Sequence, residues 1–368
     1  MPQAGGPIGV YGASGYTGKL ILRELVRRGL PHVLAGRSAA RLRAAAAQAG
    51  TDAPVRTASV EDRDALRHAL GDCSVVINCA GPFSRWGEAV VRAAIETGAH
   101  YLDTTGEQLY MKRIADRWDG AARAAEVAVV CAAGFDYVPG DLIAHLAAQG
   151  HEPLRELVVA YSVGGVAPSR GTMQSMLEIV KSRALHYDEG AWRTGETGHR
   201  RAVFTFPDEI GRAPMMKYAS GEVVTAPQHL RTRRVTALID ARGLIPHPAL
   251  GPLLTLTLPV ARLALRTPLR SLASMAIDRL PERSSLEDQR TDRFTIVAVA
   301  AGEDGSVGRG VVRGSDVYGL TAAIAVHGAA LMAAQDFGGR SGVLAPAAAF
   351  EPRPFLDRLT EHGLSYEV

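Results

Sequence analysis

The sequence has little cysteine and little lysine. Its three cysteines in 368 residues are an odd number without a Cys-X-X-Cys pair. This pattern excludes a disulfide framework and favours buried thiols over a metal or redox site. Only four of the 41 basic residues are lysines, and the arginines are scattered among 38 acidic residues. We therefore predict no nucleic-acid partner and no metal site.

Segments that would direct the chain to or across a membrane are also missing. The longest apolar stretch, Pro248–Ala261, has 14 residues and two prolines, whereas a spanning helix needs about 20 residues. Residues 1–7 lack the basic region and the apolar core of a signal peptide. We predict a cytoplasmic protein without a transmembrane segment.

The first 150 residues alternate short β-branched runs with amphipathic helical patterns. Helical spacing is clear in Lys19–Arg28 and in Ala39–Ala49, which Ser38 precedes as an N-cap and Gly50 follows. Such alternation is typical of a parallel sheet with helices on both faces. We predict strands at Ile8–Tyr11, His32–Ala35, Val55–Ala58, Ser74–Cys79, Tyr101–Asp103 and Val127–Cys131.

After Gly150 most strands follow one another without an intervening helix, which is typical of an α+β domain on a mainly antiparallel sheet. Gly302–Gly305 is a turn signal between the last two strands. We predict helices at Arg170–His186 and Val317–Gln335. The predicted strands are Leu157–Val163, Arg201–Phe206, Glu222–Thr225, Arg234–Ala241, Phe294–Ala301 and Arg309–Arg313.

A glycine-rich turn follows the first predicted strand. Gly12, Gly15 and Gly18 occur at the end of this strand and the start of a helix, which is the arrangement that allows a tight turn, a close approach to a pyrophosphate and close helix packing. The helix N-terminus would then face the anion. We predict a dinucleotide site here that also includes Ser14, Tyr16 and Thr17; a purely structural turn is the alternative.

The end of the second strand favours NADP(H) over NAD. An NAD enzyme places an acidic residue there for the ribose 2′-hydroxyl, but this chain has Gly36, Arg37 and Ser38, with Arg41 one turn further on. Two guanidinium groups and a hydroxyl suit a 2′-phosphate. The alternative is that both arginines are only solvated. Asp62 is expected either near the adenine or as the N-cap of the next helix.

These features predict an α/β fold with two domains. Residues 1–150 would form a Rossmann-type doubly wound NADP-binding domain, which residues 338–368 complete with a terminal helix at Phe355–His362. Residues 151–337 would form the α+β domain for substrate binding and dimerisation. The Tyr/Lys pair of the short-chain dehydrogenases is absent, as are HExxH and GxSxG motifs.

Four further segments carry a family resemblance. They are Asn78–Phe83, Tyr101–Glu107, Gly134–Asp141 and Ser169–Thr172. Together with the glycine-rich turn, they make the sequence similar to the saccharopine dehydrogenase-like NADP-binding oxidoreductases, especially the branch of trans-acting enoyl reductases. The resemblance covers the whole chain and is more specific to the superfamily than to one reaction.

The resemblance implies cofactor contacts at three further strand ends. Ligands of a doubly wound sheet lie beyond the carboxyl ends of its strands. Cys79, Ala80, Gly81, Pro82 and Phe83 would lie beside the ribose and nicotinamide. Thr104–Glu107 after the fifth strand, with Thr105 and Gly106, and Gly134–Asp141 after the sixth strand would face the nicotinamide. For the prolines, turn formation and helix initiation are the alternative.

The sequence alone does not identify the proton donor. Candidates are Tyr137 and Asp136 from the first domain and Thr172 from the second. Tyr137 could protonate a developing enolate or amine, although a phenol is a weak acid unless its pKa is shifted. Asp136 could equally cap a helix or orient Tyr137.

One apolar segment suggests the substrate. Leu250–Leu272 carries Arg262, Arg266 and Arg270 at intervals of four residues. It could be a lid over an acyl or polyketide chain, with the arginines meeting a phosphopantetheine carrier or a membrane surface. An ordinary packing helix or the contact of a homodimer is the alternative.

Three functions follow from these observations. The first is an NADPH-dependent reductase of a conjugated C=C bond, on a small-molecule or carrier-bound acyl substrate. The second is a C=N reductase of the saccharopine dehydrogenase type, in which Arg231, Arg233 and Arg234 would bind substrate carboxylates. The third is a protein that binds NADP without turnover.

Overall fold

The computed structural model describes residues 5–165, 168–181, 183–195, 202–207, 210–244, 265, 267, 269–280, 292–337 and 339–368. Backbone contacts divide the chain into two compact units. Unit 1 comprises residues up to Val138 and Tyr318–Phe350, and unit 2 comprises Pro139–Val317 and Glu351–Val368.

Unit 1 contains a parallel sheet, which confirms the predicted α/β class. Its seven described strands lie in the order β15-β6-β5-β4-β1-β2-β3. Their buried, β-branched sequences fit a sheet covered on both faces. The strands are β1 (Ile8–Tyr11), β2 (His32–Gly36), β3 (Val55–Thr57), β4 (Val75–Asn78), β5 (His100–Asp103), β6 (Ala128–Val130) and β15 (Gly342–Val343).

The helices of unit 1 connect these strands in the predicted βαβ order. Ser38 accepts a hydrogen bond from the Arg41 backbone amide and begins α2, and Gly50 ends it with a left-handed φ of +73°, as the sequence predicted. The helices are α1 (Tyr16–Arg27), α2 (Ala39–Ala49), α3 (Arg63–Leu70), α4 (Phe83–Thr97), α5 (Gln108–Ala124), α11 (Val317–Ala333, which starts at the unit boundary) and α12 (Pro346–Ala349).

Unit 2 contains a mixed, mainly antiparallel sheet of nine described strands. Seven of them lie in the order β10-β11-β12-β7-β13-β14-β16, with β8 and β9 added beside β12. Only β7 and β12 pair in parallel. The strands are β7 (Leu154–Gly164), β8 (Ala184–Asp188), β9 (Ala191–Gly195), β10 (Ala202–Thr205), β11 (Arg212–Lys217), β12 (Arg234–Asp240), β13 (Arg293–Gly302), β14 (Val307–Ser315) and β16 (Ser365–Glu367).

One predicted element of unit 2 is wrong, and another is predicted too long. Glu222–Thr225 was expected to be a strand because of its β-branched residues, but it is the first half of α8 (Glu222–His229). The predicted helix Arg170–His186 ends at Lys181, and its last residues belong to β8. The described helices are α6 (Val138–Ala148), α7 (Arg170–Lys181), α8, α9 (Ala241–Leu244), α10 (Leu269–Arg279) and α13 (Pro352–Leu359).

The compact units have different boundaries from the predicted domains. Helix α6, expected in the first domain, packs in unit 2, where Asp141 accepts a hydrogen bond from the Thr225 hydroxyl at 2.6 Å. The predicted tail is divided, because β15 pairs with β6 and β16 pairs with β14. Most of Leu250–Leu272, including Arg262 and Arg266, lies outside the described residues.

Candidate functional site

The turn from β1 to α1 has the geometry that a dinucleotide phosphate needs. Gly12 has a φ of +83°, and a Cβ there would lie 2.9 Å from the Ala80 backbone nitrogen. Gly15 is the N-cap of α1 and contributes no side-chain cap. A Cβ on Gly18 would lie 2.5 Å from the Gly12 carbonyl oxygen. The three glycines therefore permit a tight turn that brings a helix N-terminus to the sheet edge.

The other predicted residues of this turn are accessible to a ligand. Ser14, Gly15, Tyr16 and Thr17 are partly exposed. The Tyr16 ring packs edge-on against the ring of Tyr318 at a centroid distance of 5.1 Å. The first turn of α11 thus supports the phosphate turn, a contact that the sequence spacing did not reveal.

The end of β2 presents two cationic side chains. Arg37 and Arg41 are exposed, and in the described part of the chain neither guanidinium group has a hydrogen bond or an ion pair with a protein group. Ser38 caps α2, and Gly36 is buried. Asp62 caps α3 by accepting from the Ala65 amide at 2.9 Å. These arginines are thus available for an added phosphate.

The buried side chain of Asn78 fixes the loop after β4. This residue is completely buried, its Oδ1 accepts from the Ala80 amide at 2.9 Å, and its Nδ2 donates to the Tyr101 hydroxyl at 3.0 Å. Cys79, Ala80, Gly81 and Pro82 are partly exposed, whereas Phe83 is buried against the Tyr110 ring. The accessible part of this segment is therefore residues 79–82.

Asp103 is a buried carboxylate at the end of β5 with four hydrogen-bond donors. Its Oδ1 accepts from the amides of Thr105 (3.1 Å) and Ala132 (2.9 Å). Its Oδ2 accepts from the hydroxyls of Tyr101 (2.9 Å) and Tyr110 (3.0 Å). Burial raises the pKa of Asp103 to about 6, against the opposing effect of these donors.

Glu107 closes the N-terminus of α4. Its two carboxylate oxygens accept from the amides of Phe83 at 2.7 Å and Ser84 at 2.9 Å. The Thr105 hydroxyl accepts from the Glu107 amide at 3.1 Å, and both side chains are buried. Thr105 is thus a buried residue that stabilises the loop. Of the predicted pair Thr105 and Gly106, Gly106 is the partly exposed residue.

The loop after β6 carries two of the candidate proton donors. The Tyr137 side chain is buried, and its hydroxyl donates to the Gly106 carbonyl at 2.9 Å. Asp136 is exposed, and a Cβ on Gly106 would lie 3.6 Å from its Oδ2. The surrounding protein disfavours the charged form of Asp136 and raises its pKa to about 6, an effect that the water reaching it weakens.

The third candidate donor, Thr172, belongs to unit 2. It lies in the first turn of α7, where its hydroxyl is 2.9 Å from the Ser169 hydroxyl. The structure therefore brings Asp136 and Tyr137 together, with Thr172 in the other unit.

The remaining arginines of interest have protein partners. Arg233 forms an ion pair with Glu189, and Arg234 binds Asp188 at 2.7 Å. Arg270, the described arginine of the apolar segment, pairs with Glu178 between α10 and α7. The described residues contain no group of three or more metal-binding side chains. Among them, no helix combines the length and apolarity needed to cross a bilayer.

Sequence reasoning did not assign roles to Asn78, Asp103, Glu107, Tyr318 and Thr321. Thr321 of α11 accepts from the Phe135 amide at 3.1 Å. Asn78, Asp103 and Glu107 lie within or directly after motifs that the sequence marked. A polar residue at the end of a buried strand was the available signal, but its partners are distant in sequence.

Comparisons with known proteins relate part of the chain to a family. Residues 8–130 match the family described as saccharopine dehydrogenase NADP binding domain. A Mycobacterium leprae protein named trans-acting enoyl reductase is 36% identical over 138 residues, which is 36% of this chain and 33% of that protein. A human saccharopine dehydrogenase-like oxidoreductase is 29% identical over 225 residues, covering 54% and 46% of the two chains.

Two further proteins extend the comparison. A Caenorhabditis elegans lipid droplet localized protein is 38% identical over 144 residues, covering 36% of this chain and 34% of its own. The matches thus span a third to a half of the relatives' lengths. Apo saccharopine dehydrogenase (L-Glu forming) from Saccharomyces cerevisiae has the same fold over 99% of both chains, with a TM-score of 0.64 and 15% identity.

These comparisons confirm the predicted family resemblance and the NADP(H) cofactor. Oxidoreductase is also the class that the names of several relatives give. The part of the chain that shows this relationship is residues 8–130, which match the saccharopine dehydrogenase NADP binding domain.

Proposed function

We propose that this protein is an NADPH-dependent reductase of a C=C bond conjugated to a carbonyl group, with an acyl chain as substrate. Unit 1 would bind the cofactor, and unit 2 would hold the substrate. The observation that carries the proposal is the strand-edge site of unit 1, which combines an open phosphate turn, two exposed arginines that form no ion pair with a described protein group, and an exposed carboxyl group of raised pKa.

The residues of unit 1 fit NADPH. The φ of Gly12 and its close approach to Ala80 leave room for backbone only, so a pyrophosphate could approach the amides at the start of α1. Arg37 and Arg41 would bind the 2′-phosphate, since an exposed guanidinium pair is suited to a dianion. The partly exposed residues Cys79–Pro82 and Gly106 would line the rest of the cofactor.

Asp136 is the best candidate for the proton donor. NADPH supplies the hydride when bound, and the reduced substrate needs one proton at the neighbouring carbon. A carboxyl group whose pKa is raised by the surrounding protein keeps its proton to a higher pH than an ordinary aspartate, which favours proton donation. Tyr137 is better suited to positioning, because its hydroxyl is buried and donates to Gly106.

Two observations favour C=C over C=N reduction. Two of the three arginines predicted to bind an amino-acid substrate, Arg233 and Arg234, are already paired with Glu189 and Asp188. Three relatives at 33 to 36% identity bear the name trans-acting enoyl reductase. That name supports a substrate delivered on a separate carrier protein. A contact with a membrane surface, a homodimer and a cytoplasmic location remain predictions.

The experiment is a comparison of two substrate panels with the purified full chain. NADPH oxidation is followed at 340 nm with enoyl thioesters, and separately with keto acids plus amines. We expect turnover with the enoyl panel that Asp136→Asn reduces by roughly 100-fold, as loss of a general acid does. Thr172→Val is the matched control and should keep most of the activity.

The other outcomes decide between the alternatives. Turnover only with keto acids and amines would favour C=N reduction. Tight NADPH binding without turnover in either panel would favour a protein that binds NADP without catalysis. Full activity of the Asp136→Asn variant would remove Asp136 from the mechanism and leave the cofactor assignment intact.

A further inference from the structure

We propose that Asp103 is a positioning residue that holds three strand-end loops in the arrangement that binds the non-adenosine half of the cofactor. The inference rests on the proposed function, because it assigns these loops to NADPH. Asp103 itself is completely buried and would not touch a ligand.

Asp103 connects the three loops by hydrogen bonds. The carboxylate of Asp103 accepts from Thr105 in the loop after β5 and from Ala132 in the loop after β6. Its backbone carbonyl also accepts from the Ala133 amide at 2.6 Å. Through the Tyr101 hydroxyl it reaches Asn78, whose Oδ1 accepts from Ala80 in the loop after β4. One side chain thus links three loops that carry predicted site residues.

Hydrogen-bond donors occupy both oxygens of the Asp103 carboxylate. Two amides and two phenol hydroxyls occupy its two oxygens. A buried carboxylate with four donors is fixed in orientation, and the donors are fixed in turn. Removing the acceptor would leave two buried amides and two buried hydroxyls without it, a situation that costs far more than the loss of one exposed bond.

The adenosine end of the site is separate from the contacts of Asp103. The phosphate turn is held by its own backbone, as the Gly15 amide donates to the Gly12 carbonyl at 3.0 Å. Arg37 and Arg41 lie beyond β2, on the other side of β1 from β5 in the strand order. Loss of Asp103 should therefore weaken binding of the whole cofactor and spare binding of its adenosine fragment.

Protonation of Asp103 gives a second, independent signature. The titratable groups that face this carboxyl are Tyr101, Tyr110, Cys79 and Cys131, and burial raises the pKa of each. These four groups stay neutral between pH 5 and 8, and Asp103 changes charge near pH 6. A protonated carboxyl group can no longer accept all four bonds, so the loop arrangement that binds NADPH should be less populated as the pH falls through this value, although protonation removes the cost of burying a charge in the fold.

The test measures the dissociation constants of NADPH and of adenosine 2′-monophosphate for the protein. Because each ligand carries one phosphate monoester that titrates near pH 6, the ratio of the two constants removes that effect. We expect Asp103→Ala to weaken NADPH binding by at least about 10-fold, or roughly 1.4 kcal/mol. Binding of the monophosphate should stay within about threefold.

Two variants test rescue and specificity. Asp103→Asn keeps one acceptor for the two amides and should bind NADPH within about threefold of the native protein at pH 7.5. Asp119→Ala is the control, since Asp119 also accepts from a backbone amide in unit 1, that of Val343, but lies on α5. It should leave both constants unchanged.

The pH profile distinguishes Asp103 from Asp136, whose pKa is also raised to about 6. In the native protein the ratio of the NADPH constant to the adenosine 2′-monophosphate constant should rise as the pH falls below about 6. Asp103→Asn should abolish this step and Asp136→Asn should retain it. Tyr110→Phe removes one donor, so the step should move to higher pH. A step that disappears in Asp136→Asn and persists in Asp103→Asn would overturn the proposal.

Amide hydrogen exchange without ligand separates this inference from the proposed function. Asp103→Ala should accelerate exchange in residues 79–83, 104–107 and 131–137, and leave residues 12–18 unchanged. Exchange rates in all three loops that equal those of the native protein, or an equal loss of affinity for both ligands, would contradict the positioning role. If the native protein binds neither ligand, the proposed function fails, and the exchange data still decide whether Asp103 fixes the loops.

Discussion

The phosphate turn of residues 12–18 and the ends of β4, β5 and β6 lie at the same edge of one parallel sheet, but different contacts hold them. The phosphate turn contains a short-range bond from the Gly15 amide to Gly12, and its longer-range contacts are the bond from the Gly12 amide to Ala35 and the packing of Tyr16 on Tyr318. The strand-end cluster, which comprises Asn78, Tyr101, Asp103, Glu107 and Tyr110, depends on side chains up to 29 residues from their partners. A local motif thus marks one part of the site, and a buried polar network builds the other.

The two helix N-termini at this edge show the same contrast. No described side chain caps α1, whose N-cap is Gly15, so its amides can meet an anion. The N-terminus of α4 is closed by both oxygens of Glu107. Only the first of these helices can contribute to a phosphate site, and the protein's own carboxylate explains why.

The largest expected effect is on the phosphate turn. Gly12→Ala should weaken NADPH binding by at least about 100-fold, because a strained φ, worth about 1–3 kcal/mol, combines with displacement of Ala80. Gly50→Ala is the matched control, with a φ of +73° and no atom within 4 Å of the added Cβ. It should lose stability and keep its NADPH affinity. Fluorescence titration measures both affinities, and equal losses would contradict the steric argument.

The second expected effect concerns stability of the strand-end cluster against pH. The pKa of Asp103 is raised from 3.8 to about 6 on folding, so the folded state binds the proton more tightly than the unfolded state. The contribution of Asp103 to stability is therefore greatest at low pH and falls as the pH rises from about 4 to about 6.

Denaturant unfolding of the native protein and Asp103→Asn tests this sign. Relative to the variant, the native protein should lose up to about 3 kcal/mol across that range. A difference between the two proteins that stays constant from pH 4 to 7 would show that the carboxyl group is not strained by burial.

The third expected effect concerns the preference for NADPH over NADH. Arg37→Glu should weaken NADPH binding by about 30-fold and NADH binding by less than about threefold, since a charge-assisted bond to the 2′-phosphate is worth about 2 kcal/mol. Arg43→Glu changes another exposed residue of α2 and serves as the control. Small, equal losses for both cofactors would exclude Arg37 from the 2′-phosphate site.

The smallest expected effect compares a buried cap with an exposed one. Glu107→Ala leaves the amides of Phe83 and Ser84 without their acceptor, at a cost of about 1–3 kcal/mol. Asp62→Ala removes the exposed cap of α3 and should cost about 1 kcal/mol or less. Thermal unfolding should rank the two in that order, and a larger loss for Asp62→Ala would argue against the role of Glu107.

The sequence predicted the fold of unit 1 well because its patterns are local. All six predicted strands of the first 150 residues are present, and each end is the predicted residue or lies one residue from it. The error at Glu222–Thr225 has a tertiary cause. Three β-branched or apolar residues favoured a strand, but the segment is helical, with Glu222 buried beneath the hydroxyls of Tyr161 and Ser220. A buried acidic residue with distant partners leaves no periodic signal.

The candidate site follows the same rule. Gly12, Gly15, Arg37 and Arg41 could be assigned from spacing alone, because turn geometry and the charge after β2 depend on a few consecutive residues. Tyr137 could be named but its role could not, since its bond to Gly106 joins two loops 31 residues apart. Asp103 and Glu107 lay inside a recognised motif, yet only the packed sheet reveals which amides they accept from.

The sequence by itself determined a parallel nucleotide-binding sheet, its phosphate turn and its preference for NADP(H), because these depend on glycine conformations, strand periodicity and one missing acidic residue. The tertiary structure decided which strand ends are fixed by buried carboxylates, that Asp136 rather than Tyr137 is exposed, and that Arg233 and Arg234 are already paired. Hydrogen bonds between residues far apart in sequence exist only once the strands are adjacent, so their energetics and their pKa shifts belong to the folded chain.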